Sequence, residues 1–225
     1  MQLSEVVPWG RCLKEYKEMF ALSEVDLQGN ILGCGDGPAS FNAEATAAGA
    51  SVISVDPIYC FSANEIESRV NEVSHNIAQQ LEENASNYIW STFQSVEAVV
   101  SARLAAMKEF LKDYEAGKKA GRYIEASLPL LPFKEKQFKL ALCSHFLFLY
   151  SAHISQEQHI AGVLELCRVA KEVRVYPLVT LDGRPSPYLA PVIEAVASAG
   201  YSAETVAVPY SFQRNATEML VVKGV

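Results

Sequence analysis

Three glycines and one acid carry the first chemical signal in this chain. Gly33, Gly35 and Gly37 stand in the stretch NILGCGDGPASF, between a short apolar run and a proline, and Asp56 follows nineteen positions after Gly37 in SVISVDPIY. Glycine lets a backbone approach a ligand with no Cβ in the way. An apolar run, a glycine turn and a second run ending in an acid fit a nucleotide lying across the ends of two parallel strands. A dinucleotide loop would read GxGxxG, but here Pro38 takes the place of the third glycine. No GxxxxGK followed by Ser or Thr occurs either, so there is no loop for a nucleoside triphosphate. The better fit is a ligand with an adenosine and no pyrophosphate.

Other reactive residue types form no site by spacing alone. The five cysteines, Cys12, Cys34, Cys60, Cys143 and Cys167, contain no CxxC pair. That scatter fits a reducing, cytoplasmic location and neither a disulfide framework nor a zinc site. His153 and His159 are six apart, off a common helical face, and no carboxylate stands at ligand spacing from them, so no metal is expected. A net charge of -7 offers no basic stripe, which argues against nucleic acid as the main partner. The first residues, MQLSEVVPWGRC, show no charged start followed by an apolar core, so no secretory signal is expected. The most apolar stretch, Leu140 to Ala152, is too short to cross a membrane.

The elements that must position the glycines and the acid can be read along the chain. With 225 residues, 50% hydrophobic and 20% charged, one α/β domain spanning 1–225 is expected. Asn30 to Leu32 and Ser51 to Val55 read as strands, with Pro38 opening a helix over Ala39 to Ala48 between them. A helical insertion over about 61–121 follows. Ser62 and Glu65 form a capping box ahead of an apolar stripe at Ile66, Val70, Val73, Ile77 and Leu81. Ser91 and Gln94 form a second box, ahead of the stripe Val96, Val100, Leu104, Met107, Leu111 and Tyr114, with Gly117 and Gly121 as stops. Arg122 to Ala126, Phe138 to Ser144 and Glu172 to Val179 read as strands. A helix capped by Ser155 and Gln158, and another opening at Ser186-Pro187 and ended by Gly200, complete the alternation. Thr205 to Val208 and Glu218 to Val222 are joined only by PYSFQRNAT and so pair antiparallel. The expected architecture is a three-layer sandwich around a Rossmann-like, mostly parallel seven-stranded sheet with an antiparallel last strand.

The motifs ILGCGDG, SVDPI, YIEASLPLLPF and FKLALCSHFLF resemble the successive strand motifs of the class I S-adenosylmethionine-dependent methyltransferases. The likeness covers the chain from about Arg11 onward, apart from the insertion. PWGRCLKEYKEMF, RVAKEVRVYPLV and SPYLAPVIEAV are similar to a group of small, uncharacterised bacterial members. The resemblance implies S-adenosylmethionine as cofactor, held by Gly33, Cys34, Gly35, Asp36 and Gly37. Asp56 would accept both ribose hydroxyls, Pro57 and Ile58 would lie against the adenine, and Ala126 and Ser127 would reach its edge. Arg11 would clamp the methionyl carboxylate, with Tyr16 near the sulfonium. Ser144, at the end of the fourth strand, would also contact the cofactor, and His145 follows it where the acceptor would sit. His145 could titrate near neutrality as a base for an oxygen or carbon acceptor. Two positions depart from the family: Ile31 stands where an acid is usual two residues before the first glycine, and Lys139 follows Phe138 where Asp is frequent.

Phe146, Phe148, Tyr150, Tyr88 and Trp90 are candidates to line an acceptor pocket for a small molecule or a protein side chain. The insertion is expected to act as a lid or as the seam of a homodimer. Two other readings stand beside the methyltransferase: a non-catalytic adenosylmethionine-binding protein, suggested by Ile31, and a nicotinamide-dependent oxidoreductase, opposed by Pro38.

Overall fold

The computed structural model describes residues 9–224, without the side chains of 73–77, so Val73 and Ile77 of the first apolar stripe lie outside the described residues. The chain opens with helices α1 (Leu13–Met19) and α2 (Glu24–Leu27), then runs β1 (Asn30–Cys34), α3 (Phe41–Ala47) and β2 (Ser51–Val55). The insertion supplies α4 (Ala63–Glu83) and α5 (Val96–Lys119), and β3 (Tyr123–Ile124) and β4 (Phe138–Ser144) follow. Then come α6 (Gln156–Val169), β5 (Ala170–Tyr176), α7 (Leu189–Ser198), β6 (Tyr201–Ala207) and β7 (Glu218–Gly224).

The strands form one seven-stranded sheet in the order β3-β2-β1-β4-β5-β7-β6. All pairings are parallel except those of β7, which runs antiparallel to both β5 and β6. The apolar strands alternate between two cores, as a sheet covered on both faces requires. Ile31, Leu140 and Leu142 face one core with Phe41 and Tyr176, and Leu32, Ala141 and Cys143 face the other with Val163 and Leu166. From β1 the chain proceeds outward through β2 to β3, then returns to place β4 on the other side of β1. In register, Cys34 pairs with both Val55 and Cys143. The loops that leave β1, β2 and β4 therefore gather at one edge, beside the reversal of strand order where such sheets hold their ligands.

Several element boundaries differ from the sequence reading. Pro38 does not open α3: Gly37 and Pro38 form a turn, and the helix begins only after Ser40. The Gly37 N–H is instead donated to Asp56 Oδ2 at 2.9 Å, which holds the turn open. Ser62 and Glu65 do form a capping box, but Ser91 and Gln94 do not. The segment around Ser91 is tied elsewhere: the Thr92 hydroxyl donates to the Ser211 carbonyl at 3.3 Å, and Phe93 packs edge-on against Phe212. Ser95 caps α5 instead.

The buried face of α5 is also offset, with Val99, Arg103, Met107, Phe110 and Tyr114 inside and Leu104 outside. Gly117 does not stop the helix; it faces the ring of Tyr123, which a Cβ there would overlap. Strand β5 ends at Tyr176 because Pro177 has no N–H for the ladder. Ile66, Val70, Met107 and Tyr114 pack with Tyr59 and Tyr123 in a cluster of their own. These residues of the two stripes, which could have formed a dimer seam, are therefore covered within the chain. Among the described residues no helix is long and apolar enough to cross a membrane.

Candidate functional site

A cavity of about 280 Å3 opens at the carboxyl ends of β1, β2 and β4. Thirteen of the cofactor and base candidates line it: Arg11, Tyr16, Cys34, Gly35, Asp36, Gly37, Asp56, Pro57, Ile58, Ala126, Ser127, Ser144 and His145. Gly33 does not. A Cβ on Gly33 would lie 2.6 Å from the carboxylate carbon of Asp36, so this glycine makes room for a side chain of the same loop and not for a ligand. Gly35 and Gly37 turn the chain with φ of 69° and 54°, a region other residues avoid. A Cβ on Gly35 would crowd Phe146 across the cavity floor at 3.0 Å.

The two acids differ in their surroundings. Asp56 follows β2 and accepts the Gly37 N–H at 2.9 Å and the Ile58 N–H at 3.0 Å. Each carboxylate oxygen keeps a lone pair for a ligand hydroxyl. Asp56 thus caps the short turn Pro57–Cys60 and braces the glycine turn at once. Burial raises its pKa, and the two backbone donors oppose that rise. Asp36 folds back under the loop, taking the Tyr16 hydroxyl at 2.7 Å and the Ser54 hydroxyl at 2.6 Å. Burial pushes its pKa up to about 6 despite those donors.

A folded-state pKa above the unfolded 3.8 means that the native state binds a proton first as pH falls. The Asp36 charge therefore destabilises the fold above pH 6, by roughly 3 kcal/mol, and the cost is relieved between about pH 6 and 4. Asp36→Asn is expected to stabilise the ligand-free protein by about 1 to 2 kcal/mol at pH 7.5, less than the full cost because the amide must still satisfy two hydroxyls. It should have almost no effect at pH 4.5. Urea denaturation of both proteins across that range checks this, and an equal offset at both pH values would contradict it.

Arg11 brings positive charge to the same cavity. Its Nη1 donates to the Trp9 carbonyl at 3.1 Å, while its buried Nε has no partner. Burial and the nearby Arg103 lower its pKa. Among the described residues no carboxylate comes within ion-pair distance of it, and it is the only lysine or arginine lining the cavity.

His145 Nδ1 lies 3.0 Å from Ser144 Oγ, and its backbone N–H donates to the Tyr176 carbonyl. The expectation of titration near neutrality does not hold. Burial, then Arg11 and Arg103, push its pKa well below the usual value, so the imidazole is neutral at physiological pH. Cys34 is no nucleophile: the adjoining Cys143 thiol and burial keep it protonated. Of the aromatic candidates, Tyr88, Phe146 and Tyr150 line the cavity. Phe148 lies in the core at 0% exposure, and Trp90 packs against Phe212 and donates to the Ala85 carbonyl.

Sequence reasoning missed one wall altogether. The loop between β6 and β7 carries Tyr210, Phe212 and Gln213 into the cavity. It is fastened to the middle of the insertion by backbone bonds from Ile89 to Phe212 and from Arg214 to Asn87, at 2.7 and 2.8 Å. The aromatic content of PYSFQRNAT was the available signal. The other omission is Arg103 of α5, fully buried and ion-paired with Glu15 at 2.6 Å.

No profile of a known protein family matches the chain. Among solved structures it is similar to magnesium protoporphyrin IX methyltransferase of Synechocystis PCC 6803, which was solved with bound S-adenosylmethionine. The TM-score is 0.50 at 13% identity, over 95% of this chain and 78% of that one. The PH0226 protein of Pyrococcus horikoshii OT3 aligns with a TM-score of 0.52 at 13% identity, over 94% of this chain and 89% of that one. These likenesses show the Rossmann-like fold of the class I methyltransferases. By sequence the chain is 30% identical to the uncharacterized protein MJ0045 of Methanocaldococcus jannaschii, over 99% of its own length and 98% of the relative. That relative is archaeal, where the sequence motifs alone suggested bacterial kin. The chain belongs to the family of this archaeal protein.

Proposed function

We propose that the protein is an S-adenosylmethionine-dependent methyltransferase acting on a small molecule. The observation that carries this reading is the pattern of charge in one cavity. Asp56 stands beside a glycine turn, and Arg11, a cation with an unsatisfied buried N–H, lines the same cavity. That donor set suits a ligand with a ribose and a free carboxylate. It does not suit a nicotinamide dinucleotide, whose pyrophosphate would want glycine N–H groups at the head of a long helix. The helix after this turn has seven residues and begins beyond Pro38.

When bound, the cofactor supplies a methyl group already activated on a sulfonium. The chain's own residues do the rest. Asp56 would hold the ribose, Pro57, Ile58, Ala126 and Ser127 would flank the adenine, and Arg11 would take the carboxylate. Asp36, held by Tyr16 and Ser54, brings a second negative charge to the amino-acid end, where Ile31 leaves none. Tyr88, Phe146, Tyr150 and Phe212 wall the space above Ser144 and His145, keeping water from the acceptor and fixing its orientation. Such positioning can supply about 7 to 11 kcal/mol of a displacement barrier. A neutral His145 can accept a proton from a hydroxyl or amine, steadied by Ser144. A cavity of about 280 Å3 lined by the β6–β7 loop and the middle of the insertion favours a small acceptor over a protein side chain. A single domain and a cytoplasmic location belong to the same reading; all five cysteines are free.

Calorimetric titration is expected to show binding of S-adenosylmethionine and S-adenosylhomocysteine but not of NADH. Incubation with methyl-labelled cofactor and a metabolite extract should move label onto a small molecule. Binding without transfer would favour the non-catalytic reading, for which Ile31 speaks. Heat with NADH alone would favour the oxidoreductase.

A further inference from the structure

Arg103 is carried by α5, far along the chain from the glycine turn, yet its side chain reaches the back of the N-terminal segment. Its Nη1 donates to both oxygens of Glu15 at 2.6 Å, and its Nη2 donates to the Tyr210 hydroxyl at 3.3 Å. Tyr210 donates in turn to Glu15 Oε1 at 2.9 Å, and the Cys12 N–H donates to Oε2 at 3.2 Å. Each oxygen of Glu15 thus has two donors, and neither is Arg11. The rings of Trp9 and Phe93 lie 5.7 and 5.4 Å from the Arg103 guanidinium carbon. Arg103 Nε has no partner.

A buried ion pair is a poor source of stability compared with apolar residues of the same volume. Its retention calls for another reason, and Arg11 supplies one. Arg11 directly precedes Cys12, the extended cap residue of α1, whose N–H reaches Glu15 Oε2 at 3.2 Å, and Arg11 and Glu15 each shift the other's titration. Without Arg103, Glu15 would be a buried carboxylate in want of a cation, and Arg11 is the guanidinium at hand.

We propose that Arg103 is a positioning residue that occupies Glu15 and so leaves Arg11 available to bind a ligand carboxylate, that of the cofactor's methionyl end. This rests on the methyltransferase reading and assigns the inserted helix a role in ligand recognition. The role requires no movement of a lid.

The test compares S-adenosylhomocysteine with 5′-methylthioadenosine, which shares the nucleoside and lacks the amino-acid end. In the wild type the first should bind at least tenfold more tightly. Arg103→Met should lower affinity for S-adenosylhomocysteine about tenfold or more, and change that for methylthioadenosine less than twofold. The double variant Glu15→Gln with Arg103→Met removes the competing carboxylate and should recover most of the loss. Arg103→Lys and Glu15→Gln alone should keep the wild-type ratio, and they serve if Arg103→Met does not fold. An equal fall for both ligands would mean a merely structural arginine and overturn the proposal. So would a wild-type ratio near one, which would point to an acceptor's carboxylate at Arg11 and leave the cofactor assignment standing. Failure of the wild type to bind either nucleoside would sink the cofactor assignment itself, and this role with it.

Discussion

Replacing Asp56 with alanine is expected to cost about a hundredfold in affinity for S-adenosylmethionine while leaving the protein folded. Two hydrogen bonds from ribose hydroxyls to a carboxylate would contribute about 1.5 kcal/mol each, and every 1.4 kcal/mol is a factor of ten. The alanine also frees the Gly37 and Ile58 N–H groups, which the carboxylate now accepts at 2.9 and 3.0 Å. Losing that cap should lower stability by about 1 kcal/mol, well within the margin of a domain of this size. Asp56→Asn should fall between the two proteins, since the amide keeps one acceptor oxygen and loses the charge. Calorimetry with the cofactor, alongside thermal melts of the free proteins, separates the effects. An alanine variant that binds the cofactor as the wild type does would remove Asp56 from the site.

The second large effect concerns stability. Gly33→Ala should destabilise the protein by about 4 kcal/mol, because the new methyl would overlap the Asp36 carboxylate, whose carbon lies 2.6 Å from the Cβ position. Asp36 cannot step aside cheaply. Tyr16 and Ser54 hold its two oxygens at 2.7 and 2.6 Å in the core, and hydrogen bonds to a buried charge contribute about 1.5 to 3 kcal/mol each. Overpacking adds a further 1 to 3 kcal/mol. The three atoms nearest that Cβ all belong to Asp36, so Gly33→Ala combined with Asp36→Ala should recover most of the stability lost, a non-additivity typical of residues in contact. Urea denaturation of the two single variants and the double variant measures it. Additive losses would show that Gly33 serves the backbone and not Asp36. The first and last glycine candidates thus do different work: Gly33 accommodates an acid, and Gly37 offers its N–H to another.

What could be read without coordinates was local or periodic. The alternation of apolar strands with capped helices sufficed for a mostly parallel sheet. The short connection PYSFQRNAT sufficed for its antiparallel end, because two strands joined without a crossover must turn back on each other. That Gly35, Gly37, Asp56, Pro57 and Ile58 gather at one cavity was legible because strand ends in such a sheet meet at one edge, whatever the intervening chain does; Gly33 was not, because its neighbour is the Asp36 side chain. The capping box at Ser62 held because its partners are three residues apart. The one at Ser91 failed because a distant segment, Ser211 to Phe212, offered that stretch other bonds.

Arg103 was invisible for a related reason. A periodicity that counts arginine as polar places it on the outside of α5, and only the approach of Glu15 and Tyr210, separated from it by 88 and 107 residues, turns that face inward. The pKa of His145 depends in the same way on burial and on two arginines contributed by other segments. The sequence by itself determined the sheet, its direction reversals and the meeting of the glycine turn with Asp56, because these follow from chain connectivity and short-range hydrogen bonding. Tertiary structure alone decided which charges neutralise each other, that Arg11 has no ion-pair partner among the described residues, and that the β6–β7 loop lines the cavity, because electrostatic pairing and packing depend on distances that no spacing along the chain encodes.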